Sequence, residues 1–137
     1  MSKNFGCRFD RFILNPLIKN IKVLKNNNAL CINEILFTYQ QLGENISKIR
    51  NSLKDFGDDQ VYYGLVVNDD IETYASIFAL WLEGKAYVPL HPKQPKERNV
   101  EIINQVEISY ILDSGNSTVY QEYSVVLTSK LVYRQDF

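Results

Sequence analysis

The sequence predicts an α/β domain: a largely parallel sheet with helices on its faces, plus a small N-terminal β-hairpin. Three observations lead there. Val61-Tyr62-Tyr63-Gly64-Leu65-Val66-Val67 is a continuous apolar run rich in β-branched and aromatic residues, the pattern of a strand covered on both faces. From Val61 to Leu112 the order reads strand, helix, strand, helix, strand, which right-handed crossovers turn into a parallel sheet. The helix predicted from Ile71 to Glu83 is apolar almost all round, through Tyr74, Ala75, Ile77, Phe78, Ala79, Leu80, Trp81 and Leu82, so it is expected to lie buried between other elements.

Element by element, Phe9, Phe12, Ile13, Leu17, Ile21 and Leu24 recur at helical spacing over Phe9 to Lys25, with Pro16 breaking or restarting the helix. Ala29-Leu30-Cys31-Ile32 and Ile35-Leu36-Phe37-Thr38 read as two short strands around an Asn33-Glu34 bend. Thr38 has the chemistry of a helix N-cap, and Gln41 can reach back to complete a capping box. Leu42, Ile46, Ile49, Leu53 and Phe56 then form one apolar stripe, and Gly57 falls where a left-handed C-terminal cap is wanted. Asn68, Asp69 and Asp70 are cap candidates for the next helix, with Glu72 placed to box with Asp69 and Gly84 ending it.

Ala86-Tyr87-Val88 is a short strand stopped by Pro89, and Pro95 takes the first turn of a helix whose buried side carries Val100, Ile103 and Val106. Ser109 to Leu112 is a strand, Asp113 to Ser117 a turn, and Ser124 to Thr128 another strand.

Composition narrows the function classes. Hydrophobic residues are 45% and charged residues 23% of 137, ordinary for a folded domain. A formal net charge of −1 supplies no field to hold nucleic acid or an anionic membrane, so neither is an expected partner. No signal-peptide core or apolar run of spanning length appears, which points to the cytoplasm. Cys7 and Cys31 are too few for a disulfide framework and are expected to be reduced.

Two segments resemble those of a known family. Phe37-Thr38-Tyr39-Gln40-Gln41-Leu42 is similar to the Leu-Thr-Tyr-x-Glu-Leu core motif of AMP-binding adenylation domains. Leu80-Trp81-Leu82-Glu83-Gly84-Lys85-Ala86-Tyr87-Val88-Pro89-Leu90-His91-Pro92 resembles their Leu-Lys-Ala-Gly-x-Ala-Tyr-Val-Pro-Leu-Asp-Pro motif, with His91 standing where aspartate is usual. Pro95-Lys96-Glu97-Arg98 looks like the family's Pro-x-Glu-Arg helix start, and the match runs from about Ala29 to Ser114.

The resemblance implies the N-terminal subdomain of the large domain of an adenylate-forming ligase, the superfamily of acyl-CoA synthetases, nonribosomal peptide synthetase adenylation domains and D-alanine–carrier protein ligases. On that reading residues 1–28 are an N-terminal helical segment and residues 29–137 a partial adenylation domain that stops before the phosphate-binding loop. The complete enzyme would use ATP and Mg²⁺ to form an acyl- or aminoacyl-adenylate, amino acids being the favoured substrate class. It would then pass the acyl group to coenzyme A or a carrier protein. The remainder of the large domain and the C-terminal domain are the implied partners.

Within this chain no catalytic, cofactor-binding or metal residue is assigned, no cofactor is expected, and the fragment alone is expected to be inactive. Asp113 to Thr118, with a single glycine and no Pro-Lys, and Thr128-Ser129-Lys130, which continues into Leu131-Val132-Tyr133 without the needed glycines, echo the phosphate loop only superficially. His91 lacks a nameable orienting partner, Tyr62, Tyr63, Tyr74, Trp81 and Tyr87 read as core rather than as a stacking platform, and Asp69 and Asp70 read as caps. The Lys93, Lys96 and Arg98 cluster reads as a solvated helix start, interleaved with Glu97 and Glu101. A sheet without its full cover is expected to self-associate through its exposed surface. The alternative is a free-standing, non-catalytic binding or assembly module that keeps only this subdomain.

Overall fold

A computed structural model of the protein describes residues 14–57 and 59–133. Phe9, Phe12, Ile13 and Cys7 lie outside the described residues. Helix α1 spans Asn15–Val23 with Pro16 in its first turn, where the missing N–H breaks nothing. Strands β1 (Asn28–Ile32) and β2 (Ile35–Thr38) pair antiparallel as a hairpin, and Cys31 on β1 is a free thiol. Asn33 and Glu34 both have positive φ, 51° and 67°, the signature of the two-residue turn whose twist matches the strands it joins.

Helix α2 (Tyr39–Leu53) opens on the predicted capping box. The Gln41 N–H donates to Thr38 Oγ1 at 3.2 Å, and the Thr38 N–H donates to Gln41 Oε1 at 2.8 Å. A short 3₁₀ turn, Lys54–Phe56, follows, and Gly57 has φ 77° but ψ 173°. The left-handed cap predicted there is therefore replaced by an extended exit with positive φ, a conformation open to glycine.

Strands β3 (Tyr62–Val66), β4 (Ala86–Leu90), β5 (Tyr110–Asp113) and β6 (Ser124–Leu127) form one parallel sheet in the order β4-β3-β5-β6. Helices α3 (Ile71–Leu82) and α4 (Lys96–Val106) make the crossovers. Successive residues of β3 face opposite sides. Tyr63 and Leu65 meet α2 and α3 through Leu42, Ile46, Ile49, Ala75, Ala79 and Leu80, while Val66 faces Leu90, Ile111 and Ile103 of α4. On that second side a Cβ at Gly64 would stand 3.1 Å from both Ile111 Cγ1 and Leu90 Cδ1, so the small residue sets how closely the layer packs. Ile21 of α1 joins the first core, and backbone N–H groups of Tyr39 and Gln40 donate to the carbonyls of Asn27 and Lys25, so residues on both sides of position 28 share one packed unit.

Several expectations need correction. Strand β4 runs through Pro89 instead of stopping before it. The Ala86 N–H donates inward to Val61, so by alternation the nitrogen of Pro89 faces away from β3, and no ladder bond is lost at this edge position. Helix α3 buries Ile71, Thr73, Ala75, Ser76, Ala79 and Leu80 but leaves Tyr74 39% exposed, with Ile77, Phe78, Trp81 and Leu82 half-buried. It covers the sheet on one side only. Tyr62 is 52% exposed, because it begins β3 ahead of the covered stretch. Of the three cap candidates the structure uses Asp70, so the box drawn between Asp69 and Glu72 is not the one formed: the helix begins at Ile71, and the Thr73 N–H donates to Asp70 Oδ1 at 2.9 Å. Pro95 is the N-cap of α4, one position ahead of the first turn, and β6 ends at Leu127 because Thr128–Lys130 coils into a 3₁₀ turn.

Two substitutions test these local arguments. Glu34→Gly removes a left-handed strain of about 1 kcal/mol, and a rise in the urea midpoint with unchanged slope is the expected outcome. The Tyr63 hydroxyl is buried without a hydrogen-bond partner among the described residues, and burial, then the neighbouring Tyr110, raises its pKa. A raised phenol pKa leaves stability untouched below the unfolded value of 10.0 and removes it as pH climbs from there towards the folded value. Tyr63→Phe should therefore match or exceed the wild type near neutrality and lose less stability above that pH, read from denaturation curves across the alkaline range.

Candidate functional site

The sheet reverses its direction of growth between β3 and β5, since β4 is added on one side of β3 and β5 on the other. In open α/β sheets such a reversal splays the two crossover connections apart and leaves a crevice at the carboxyl ends of the strands. Asn68 follows β3 there, Asp70 caps α3, and Asp113 closes β5.

These residues are tied together. Asn68 Nδ2 donates to Ser114 Oγ at 2.9 Å and to Asp113 Oδ1 at 3.3 Å. The Ser114 hydroxyl donates to Asp70 Oδ2, and the Thr73 hydroxyl donates to Asp70 Oδ1 at 2.7 Å. Asp113 Oδ1 also accepts the Gly115 N–H at 2.9 Å. The polar groups at the strand ends thus satisfy one another and lock the α3 N-terminus to the loop after β5.

Beside this network lies a cleft of about 350 Å³, walled by Val66, Asn68, Pro92, Asn99, Asp113 and Tyr120 among others. Asn99, 1% exposed, donates through Nδ2 to the His91 carbonyl at 3.0 Å and to the Tyr120 hydroxyl at 2.9 Å. Burial raises the Tyr120 pKa, against the opposing pull of the Asn99 hydrogen bond. A second hollow of about 490 Å³ adjoins it, bordered by His91, Lys93 and Tyr74. A third, of about 220 Å³, lies between α1 and α2 and is bordered by Lys22, Lys25 and Glu44.

The residues weighed from the sequence do not converge. His91 is exposed and contributes only its carbonyl. Lys96 pairs with Glu122 at 3.1 Å, where Glu122's own backbone N–H and then Lys96 lower the carboxyl pKa, and Arg98 pairs with Glu101 at 3.7 Å. Lys93 sits in the neighbouring hollow. Neither phosphate-loop echo fits a phosphate. The Gly115 N–H is already taken by the Asp113 carboxylate, whose charge would repel an anion, and Thr128 is buried in a 3₁₀ turn. Among the described residues no group of three or more His, Cys, Asp or Glu is arranged to hold a metal, and no helix is long and apolar enough to cross a membrane.

Asn99 and Tyr120 were missed in the sequence. The signal for Asn99 is its spacing of four from Ile103, which places a polar residue on the buried stripe of α4; Tyr120 stands in an irregular segment with no period to read.

The architecture defines an open, doubly covered α/β sheet with its crevice at the strand reversal. No family model matches the chain. Over 78 residues it is 32% identical to a plipastatin synthase of Bacillus subtilis (strain 168), covering 56% of this chain and 2% of the relative. Over 80 residues it is 29% identical to bacitracin synthase 3 of Bacillus licheniformis, covering 58% of this chain and 1% of the relative. The chain therefore spans only 1 to 2% of the length of these curated relatives.

Among solved structures it is similar to a four-domain nonribosomal peptide synthetase determined with AMP and glycine, with TM-score 0.70 and 28% identity, over 86% of this chain and 9% of that one. It also shares the fold of the N-terminal subdomain of Klebsiella oxytoca NpsA, with TM-score 0.66 and 18% identity, over 83% of this chain and 31% of that one. In sequence and fold together the chain is similar to the N-terminal part of an AMP-binding adenylate-forming ligase, of the kind found in nonribosomal peptide synthetases.

Asp70 holds the cap and the cross-link at once. Asp70→Ala should cost about 2 kcal/mol, the sum of a lost cap and a stranded Ser114 hydroxyl, measured by urea denaturation; a change below a few tenths would show that the network is incidental.

Proposed function

We propose that this chain is the N-terminal scaffold of an ATP-dependent ligase that activates an amino acid as its adenylate and transfers it to a thiol, with a carrier protein as the acceptor. The observation that carries this reading is the agreement of the sequence and fold matches on nonribosomal peptide synthetases. One solved neighbour holds AMP and glycine, and another pairs an adenylation domain with a carrier domain, which favours amino-acid activation and a carrier acceptor here.

The chain's own contribution is mechanical. Its sheet fixes the loop Leu90-His91-Pro92 at the end of β4 and the loop after β5, which flank the crevice. ATP and Mg²⁺ would be held by residues elsewhere in the ligase, since the two phosphate-loop echoes in this chain are closed by their own hydrogen bonds and burial. The remaining large domain would cover β6, an edge strand with Val125, Val126 and Leu127 half-buried; left uncovered, that edge would favour self-association. Use of ATP and a carrier protein suits a cytoplasmic setting.

The test is ATP–pyrophosphate exchange with the full chain and mixed amino acids. The expected result is no exchange above the protein-free background, whereas exchange by this chain alone would overturn the scaffold reading. Transcript sequencing beyond the codon for Phe137 adds a second arm: an in-frame Ser/Thr/Gly-rich stretch ending in Pro-Lys-Gly supports the ligase, and a stop codon favours a separate binding module.

A further inference from the structure

The dipeptide Asn-Ser occurs twice in the sequence, at Asn51-Ser52 and at Asn116-Ser117, and the fold treats the two copies differently. Asn51 lies in the last turn of α2, where the Ser52 N–H belongs to the helical ladder and the Asn51 side chain accepts from Lys54 Nζ at 3.3 Å. Asn116 lies in the irregular loop after β5, and both it and Ser117 are exposed. Among the described residues neither the Asn116 amide nor the Ser117 N–H has a hydrogen-bond partner. The residue before them is pinned on both sides: the Gly115 N–H donates to Asp113 Oδ1 at 2.9 Å, and its carbonyl accepts from Ser129 Oγ at 3.2 Å. A free Asn-Ser unit therefore hangs from a fixed point.

Asparagine is chemically labile where the following backbone nitrogen is free to reach its side chain, and a hydrogen-bonded helix withholds that nitrogen. We propose that Asn116 is a site of spontaneous deamidation whose product loosens the loop flanking the crevice. The Ser117 backbone nitrogen gives its proton to solvent base and bonds to Asn116 Cγ. The Cγ–Nδ2 bond breaks, and Nδ2 leaves as ammonia with a proton from water, which closes a cyclic imide. Water then opens the ring, at Cγ to give aspartate or at the main-chain carbonyl to give isoaspartate. The sum is an amide and water converted to a carboxylate and ammonium, with nothing oxidised or reduced. Either product adds a negative charge to the loop that the Asp113 carboxylate already anchors, on the wall shared by Gly115 and Ser117. Isoaspartate also lengthens the main chain by one carbon beside Gly115, straining the bonds to Asp113 and Ser129 and, through Ser114, the tie to Asp70. The inference stands apart from the ligase reading, since only groups within this chain take part.

The full chain, folded and in parallel in urea, is aged at physiological temperature and pH, and both sites are followed by peptide mapping that separates aspartate from isoaspartate. In urea the two identical dipeptides should convert at comparable rates. In the folded chain Asn116 should keep most of its unfolded rate while Asn51 falls about tenfold or more behind it, because reaction there waits for the helix end to open. Ser117→Val, which crowds the attacking nitrogen, should bring Asn116 down to the folded Asn51 level. In ¹⁵N spectra of the aged wild type, the Ser114 and Gly115 amides should gain a second set of signals that the aged Ser117→Val chain lacks. Equal folded rates at the two sites would overturn the proposal, since the loop would then be as closed as the helix. So would an undiminished rate in Ser117→Val, which would remove the Ser117 nitrogen from the reaction. Conversion at Asn116 with the Ser114 and Gly115 signals unmoved would overturn the link to the crevice.

Discussion

Everything else in this fold follows from the double burial of β3. Its backbone is paired with β4 on one side and β5 on the other, and its side chains point alternately into two separate cores. From Tyr63 onward such a strand is closed to water, so it needs two partner strands and a helical layer above and below. The crossovers through α3 and α4 deliver both layers, and because α3 leads from β3 out to β4 while α4 leads from β4 back past β3 to β5, the crevice at its carboxyl end is a by-product of covering the strand.

The two cores are built differently. On the α2–α3 side the sheet meets large aliphatic side chains, and Phe56 stacks on Tyr110 with ring centroids 4.1 Å apart. Arg50 of α2 binds Glu83 at the end of α3 at 2.8 Å, a half-exposed contact that orients the two helices more than it stabilises them. On the α4 side, Gly64 lets Ile111 and Leu90 close over the strand, and that layer carries the buried Asn99. A large side chain at position 64 would push against the layer that shapes the cleft wall.

Local chemistry was legible in the sequence wherever one residue type decides the outcome. Thr38 with Gln41, the Asn33-Glu34 bend and the continuous apolar run of β3 all read correctly, because each depends on neighbours a few positions away. The motif from Gly84 to Pro92 likewise pointed to the ligase class that the relatives support. What misled was local reasoning about properties that only pairing decides. Pro89 reads as a stop until the strand is known to lie at an edge with that nitrogen turned outward, and α3 reads as wholly buried until its single covered face is seen. The cleft was invisible for the same reason: Asn99 and Tyr120 lie 21 positions apart and meet only through the tertiary fold.

Pro89 carries one last consequence. A new strand laid against β4 would look for an N–H at that position and find a pyrrolidine ring, whereas β6 presents an ordinary ladder of donors and acceptors along its free side. The sheet is thereby a one-ended template. Growth is disfavoured by one lost donor on the flank that carries Gly84 to Pro92 and is unimpeded on the other, so a single imino acid biases which edge of this sheet a further strand would join.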